Sequence, residues 1–244
     1  MISNMRFSGK TFLLLGVSRG LGYALAYFLA KDGAKVILVS RDERKLQSIK
    51  ESIAGVGKVD IIVGGVSSPE SAIKLKESVR KVTDKLDGIA IMIGGYEEDR
   101  VENPVALDSM LNNHVKFPIY AVSAFLDLLR KGSVILLVSA LRAVDKASPD
   151  QLSYAVAKAG TAKAVEILAA ELLDKDIRVV GIAPSWIDGD FEPNRDWRSL
   201  RRLGDVKAPP EDFALVAAWL MSDEAQWVNG VVIPVDGGTR LRQG

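Results

Sequence analysis

The chain contains no cysteine, which excludes disulfides, thiolate catalysis and cysteine-ligated zinc and is compatible with a reducing cytoplasm. It has no apolar run of membrane-spanning length, and its start, Met1 to Lys10, is polar where a signal peptide would be apolar. An excess of one charge is missing as well. The 32 Lys and Arg face 31 Asp and Glu, so no long-range field favours nucleic acid or an anionic membrane. The expected partner is a small molecule and the expected location is the cytoplasm. Histidine occurs once, as His114. What is present is ordinary globular material, 244 residues with 48% hydrophobic, enough to bury a large core. With no linker, repeat or low-complexity stretch, the chain reads as one domain over residues 1–244.

Short apolar or β-branched runs alternate with segments of helical periodicity. Strands are expected at 11–16, 35–40, 59–64, 88–93, 133–139, 178–183 and 231–235, and helices at 21–29, 42–53, 69–81, 106–129, 151–173 and 211–221. This alternation predicts a doubly wound α/β architecture, a parallel sheet with helices on both faces and right-handed crossovers.

Between the first strand and the first helix stands Gly16-Val17-Ser18-Arg19-Gly20-Leu21-Gly22. Glycine there permits a tight turn, lets backbone N–H groups approach a pyrophosphate and lets the helix pack on the sheet, with the helix N-terminus facing the negative charge. Three residues separate the first two glycines, unlike the common G-x-G-x-x-G spacing, so the evidence lies in the position of the turn within a βαβ unit. The second strand ends Ser40-Arg41, and Arg19 lies inside the turn. Two guanidiniums suit a ribose 2′-phosphate, which favours NADP(H). Asp42 is the competing reading: one register shift would make it the acid that binds the free 2′-hydroxyl of NAD(H).

Tyr154 and Lys158 are four residues apart in a helical stretch and so share a face. Ketone reduction needs a proton donor beside the carbonyl. A phenol of reference pKa ~10 is a poor base near neutrality, but a lysine cation favours the phenolate, and a shift of roughly 3 units requires about 4 kcal/mol.

The glycine turn, Ser153-Tyr154-Ala155-Val156-Ala157-Lys158-Ala159-Gly160, Ile177-Arg178-Val179 with Ile182-Ala183-Pro184, and Trp219 to Ala225 with Asn229-Gly230 and Val235-Asp236-Gly237-Gly238 occur in this order. Together they resemble the short-chain dehydrogenase/reductase family over nearly the whole chain, most broadly its 3-oxoacyl-carrier-protein reductase and glucose dehydrogenase subgroups. The resemblance implies a single Rossmann-type domain with a seven-stranded parallel sheet, usually a homotetramer, that transfers hydride between NAD(P)H and a carbonyl or alcohol. Tyr154 would be the acid/base group. Lys158 would hold the nicotinamide ribose and lower the Tyr154 pKa. Pro184 and Ile187 would line the nicotinamide side, and Gly16, Ser18, Arg19, Gly20, Leu21, Gly22, Ser40, Arg41 and Gly94 would complete the cofactor site.

Several family positions are altered. The usual Asn-Asn-Ala-Gly stretch after the fourth strand reads Ile91-Met92-Ile93-Gly94, the adenine-side Asp appears as Gly65, and Gly189 stands where a Thr is common. The family's helix Asn aligns with Asn113 or His114, with His114 favoured. The second serine of the usual pair is Ala140, and a count of thirteen residues before Tyr154 reaches Leu141. Ser139 either substitutes or points into the sheet. These departures support a second reading, a cofactor-binding protein with weak or no catalysis and a sensor or assembly role. Residues 186–210 would cover the substrate, with Trp186, Phe191 and Trp197 as walls and Arg195, Arg198, Arg201 or Arg202 meeting an anionic handle. A solvated amphipathic helix is the favoured alternative for that segment.

Overall fold

The computed structural model describes residues 5–145 and 148–242. The chain begins β1 (Thr11–Leu15), α1 (Leu21–Lys31), β2 (Lys35–Ser40), α2 (Glu43–Ile53), β3 (Lys58–Val63), α3 (Pro69–Arg80) and β4 (Leu86–Ile91). It continues α4 (Leu107–Leu111), a π turn (Asn112–Lys116), α5 (Phe117–Phe125), β5 (Leu129–Val138), α6 (Leu141–Val144), α7 (Leu152–Glu171), β6 (Arg178–Pro184), β7 (Trp186–Ile187), β8 (Lys207–Ala208), α8 (Pro210–Leu220) and β9 (Val232–Val235). Seven strands form one sheet in the order β3-β2-β1-β4-β5-β6-β9, and every pairing is parallel.

The central strands are mostly apolar because they feed two cores. Phe12 and Leu14 of β1, Val36 and Leu38 of β2, and Val134 and Leu136 of β5 pack with α1, α2 and α8. Leu13, Leu15, Ile37, Val39, Ile135 and Leu137 pack on the opposite face with α3, α5 and α7. Strand order reverses between β1 and β4, and the carboxyl ends there form the crevice where such sheets hold ligands. Gly16, Gly94, Ser139 and Ser185 follow the four central strands and so meet along this edge.

One expected element differs. The helix of 106–129 is broken: α4 passes through the π turn into α5, and Leu129 already belongs to β5. Pro118 explains the break. It has no N–H for the carbonyl four residues earlier, that of His114, and its ring crowds the same carbonyl. The Thr161 hydroxyl of α7 supplies the missing donor, 2.7 Å from the His114 oxygen. Gly160 allows this approach, since a Cβ there would lie 3.0 Å from Val115 Cγ2. The short pair β7–β8 and the single turn α6 were also not expected from periodicity, being shorter than any repeat can show.

Gly16 sits at φ 79°, and a Cβ there would be 2.7 Å from the Ile93 nitrogen. Gly132 has φ 82° with open space around it. Gly132→Ala should therefore cost only left-handed backbone strain, about 1–2 kcal/mol, while Gly16→Ala adds overpacking of roughly 1–3 kcal/mol. Urea unfolding of the two variants checks this, and equal midpoints would contradict the close approach of β1 and β4.

Candidate active site

The crevice at the strand-order reversal is a cavity of about 660 Å³, within the range of small-molecule sites. It runs from Ser18 and Leu21 at the glycine turn, past Gly94, to Ser139, Tyr154 and Lys158, and on to Pro184 and Ile187. The α1 N-cap is Gly20, which has no side chain to occupy the N–H groups of the first turn. Gly16 and Gly22 serve packing: a Cβ on Gly22 would lie 2.9 Å from Val17 Cα. Gly20 lies against the Gly189 carbonyl, 3.3 Å from where its Cβ would be, and the Arg19 carbonyl accepts from Phe191 N–H at 2.9 Å. The glycine turn is thus tied to the segment beyond β7.

At the other end of the turn, Arg19 and Arg41 are exposed and Ser40 half-buried. The Asp42 carboxylate caps α2, accepting from Lys45 N–H at 3.0 Å, so it is already engaged as a helix cap. Gly65 leaves room for the stem of Arg41, whose Cγ lies 3.3 Å from where a Cβ would stand. A nicotinamide dinucleotide fits this donor set: amides at a helix terminus, two exposed guanidiniums, a cavity of suitable size, and three buried polar atoms of lining residues, His114 Nδ1, Gln151 Oε1 and Ser185 Oγ, that have no partner among the described residues.

Tyr154 and Lys158 do share one face of α7 and one cavity. Lys158 is buried, its Nζ 5.8 Å from the centre of the Tyr154 ring and donating to the Val138 carbonyl at 2.7 Å. Burial lowers the Lys158 pKa to about 7. Burial, with Tyr96 adding to it, raises Tyr154 to about 12. Desolvation thus favours the protonated phenol, where the spacing suggests a phenolate stabilised by the lysine. Ser139 is buried, and its hydroxyl donates to the Lys158 carbonyl at 2.8 Å.

His114, rather than Asn113, lines the cavity. Its ring meets Tyr154 edge to face at 5.5 Å, and Tyr96 also meets Tyr154 edge to face, at 5.0 Å. His114 Nε2 lies 2.9 Å from the Gly95 carbonyl; a carbonyl can only accept, so Nε2 carries the proton and Nδ1 is the acceptor. Burial, reinforced by the Lys158 charge, lowers the His114 pKa to about 4.

Residues 16–240 match the family model described as enoyl-(acyl carrier protein) reductase. The chain belongs to the short-chain dehydrogenase/reductase family. It is 30% identical to a 3-oxoacyl-[acyl-carrier-protein] reductase of Thermotoga maritima, over 96% of this chain and 99% of that one. It is 29% identical to versicolorin reductase 1 of Aspergillus parasiticus, over 98% and 99%. Among solved structures, a dehydrogenase/reductase of Sinorhizobium meliloti (26% identity, 96% of each chain) superposes with a TM-score of 0.85. Landomycin C-6 ketoreductase LanV, solved with bound NADP and rabelomycin (27% identity, 97% and 98%), gives 0.84. The relatives are reductases and dehydrogenases, and this family member is an enzyme.

The dehydrogenase/reductase site also differs from the sequence reading in its outer half. Of residues 186–210, only Trp186, Ile187 and Val206 line the cavity. Phe191 packs instead against Tyr23, Tyr27 and Phe28 of α1, and Trp197 against Phe28. Arg195 forms a two-point ion pair with buried Glu211, and Arg201 one with Asp212. Arg198 stacks on Trp197, and the Arg202 amide donates to Asp205. These groups brace the segment onto α1 and α8. The cavity lining also takes in Tyr96, Arg142, Gln151 and Arg240. Only Tyr96, two residues past Gly94, carries a positional hint; Arg142 lies in the single turn α6, Gln151 stands at the N-cap of α7 and Arg240 comes from the C-terminal end, which no local pattern connects.

The His114 pKa has a stability consequence. Its folded value, about 4, lies below its ordinary 6.5, so between those pH values the unfolded chain binds a proton that the folded chain refuses, and stability falls as the pH drops. His114→Gln should flatten that part of the profile relative to the parent in denaturant melts from pH 7 to 4. An unchanged slope would show that the imidazole is not held neutral.

Proposed function

We propose that this enzyme is an NADP(H)-dependent oxidoreductase interconverting a carbonyl and an alcohol, with Tyr154 as the acid/base group and Lys158 as its partner. The observation that carries the reading is that the Tyr154 phenol, the buried Lys158 ammonium and Ser139 line one cavity together with Ser18 and Leu21 of the glycine turn. Ser18, Leu21 and the first-turn amides of α1 would hold the pyrophosphate, Arg19, Ser40 and Arg41 the 2′-phosphate, Lys158 the nicotinamide ribose, and Gly94, Pro184 and Ile187 the nicotinamide end. LanV, named with bound NADP, and the capping role of Asp42 support the phosphate preference. When bound, the reduced nicotinamide supplies hydride. Tyr154 Oη, protonated near neutrality, delivers the proton to the carbonyl oxygen, and Lys158 favours the phenolate that results. His114 buttresses the Tyr154 ring. The protein would work in the cytoplasm as a homotetramer, the exposed Ile119 of α5 and Val156 and Ile167 of α7 being suited to contacts between subunits.

One observation favours a second reading, cofactor binding with weak catalysis. The Ser139 hydroxyl has one proton and already donates it to the Lys158 carbonyl, and Ala140 beside it has none to offer. Ser139 can polarise a substrate only by giving up that bond, and a missing oxyanion donor typically costs ~10²–10³ in rate.

NADPH oxidation with a panel of ketones and 3-oxoacyl thioesters should show turnover that Tyr154→Phe lowers by about 10²–10⁴. Turnover no better than that of the variant would sink the catalytic reading and leave the binding one. Reduction should weaken as the pH rises through about 7, where Lys158 loses its charge. NADPH should bind more tightly than NADH, and Arg41→Ala should remove most of the difference; equal affinities in the parent would refute the preference.

A further inference from the structure

Asp99 is buried, yet no cation pairs with it among the described residues. Its carboxylate is satisfied by three donors from two other parts of the chain: Ser153 N–H at 2.9 Å, the Ser153 hydroxyl at 2.5 Å and Ala106 N–H at 3.2 Å. Hydrogen bonding from Ser153 holds the group below the ordinary carboxylate range, so it is ionised. The backbone adds to the contact. Asp99 bridges to Gln151, its N–H donates to the Asp150 carbonyl at 3.1 Å, and Arg100 pairs with Asp150. The α7 N-cap, Gln151, contributes no side-chain cap of its own. A helix of 20 residues therefore has its first turn capped from 54 residues away, by a negative charge placed where the helix dipole favours it.

Three walls of the cavity converge on this carboxylate. The strand-end loop from Gly94 carries Tyr96, the start of α7 carries Tyr154 directly after Ser153, and Ala106 begins the run through α4 to His114. The Tyr154 ring contacts both the Tyr96 and the His114 rings. We propose that Asp99 is a positioning residue whose buried carboxylate sets the place of the Tyr154 phenol by joining the Tyr96 loop, the first turn of α7 and the approach to α4. For turnover this rests on the proposed role of Tyr154; for geometry it does not. Displacing a reacting group by about 1 Å can cost 10²-fold. Asp99→Asn keeps the size but presents an N–H donor where donors already converge, and Ser153→Ala removes only the hydroxyl bond.

The single histidine supplies a readout independent of turnover, because the His114 ring protons sense the Tyr154 ring. In proton NMR, Tyr154→Leu should shift the His114 resonances and so calibrate the effect. Asp99→Asn and Ser153→Ala should move them in the same direction. In the NADPH assay, kcat should fall about 10- to 100-fold for Asp99→Asn and less for Ser153→Ala, with NADPH affinity unchanged because the glycine turn is not involved. His114 resonances and kcat at parental values, with only a lowered Tm, would overturn the proposal. Shifted resonances in a parent that shows no turnover would sustain the positioning role while the catalytic reading fails. If Asp99→Asn does not fold, Ser153→Ala decides by the same two measurements.

Discussion

The site is arranged around the burial of one ammonium group at the end of β5. Lys158 reaches back from α7 to the Val138 carbonyl, and Ser139, the next residue, donates to the carbonyl of Lys158. These reciprocal bonds fasten the helix that carries Tyr154 to the centre of the sheet. They also place a charge in surroundings that resist it, which is why the lysine pKa falls to about 7. A neighbouring imidazole must then stay neutral, and His114 does so, pulled down to about 4 by burial and by the lysine charge. Tyr154, in the same desolvated pocket, stays protonated. All three groups take their protonation states from burial first, and His114 is shifted further by the Lys158 charge.

The rest of the fold holds that arrangement still. Strands that feed two cores bring four carboxyl ends to one edge, where Gly16, Gly94, Ser139 and Ser185 follow one another across the sheet. Two repairs keep the helices around them intact. Pro118 breaks the ladder at His114, and Thr161 restores the lost bond from α7; α7 lacks its own cap, and Asp99 provides it. Each repair links the helix of Tyr154 to the helix of His114 or to the loop of Tyr96. A buried carbonyl or amide without a partner is costly, so these links set the geometry of the aromatic cluster as well as satisfying the backbone.

Function divides along the cavity. The glycine turn and the Arg19 and Arg41 pair belong to the half where an anion would lie, and their chemistry stands apart from that of Tyr154. Around Ser139 the internal bonds and the reacting position compete for one hydroxyl proton. The family membership and the enzymatic character stand on the matched chain as a whole.

Strand and helix alternation, the glycine turn, the Tyr154 and Lys158 spacing and the seven-strand sheet were all legible in the sequence, because each is a local pattern set by backbone sterics and side-chain period. The family resemblance was legible for the same reason: its motifs are short and stand in order. Asn113 against His114 and Arg41 against Asp42 were open, since one residue of register separates the members of each pair; the packing of the π turn puts His114 on the cavity, and the cap of α2 engages Asp42. Trp186 of 186–210 does line the cavity, but the favoured amphipathic helix does not form: the segment holds β7, β8 and a single turn at Trp197–Leu200. Its aromatics and arginines look like a substrate wall by composition, and only the positions of α1 and α8 show that Phe191, Arg195 and Arg201 are spent on packing and ion pairs. Composition and spacing determined the turn, the sheet and the Tyr154 and Lys158 face. Protonation states, the cavity lining and the Asp99 clamp were decided by tertiary structure, because desolvation and long-range hydrogen bonds depend on which distant residues arrive at the same place.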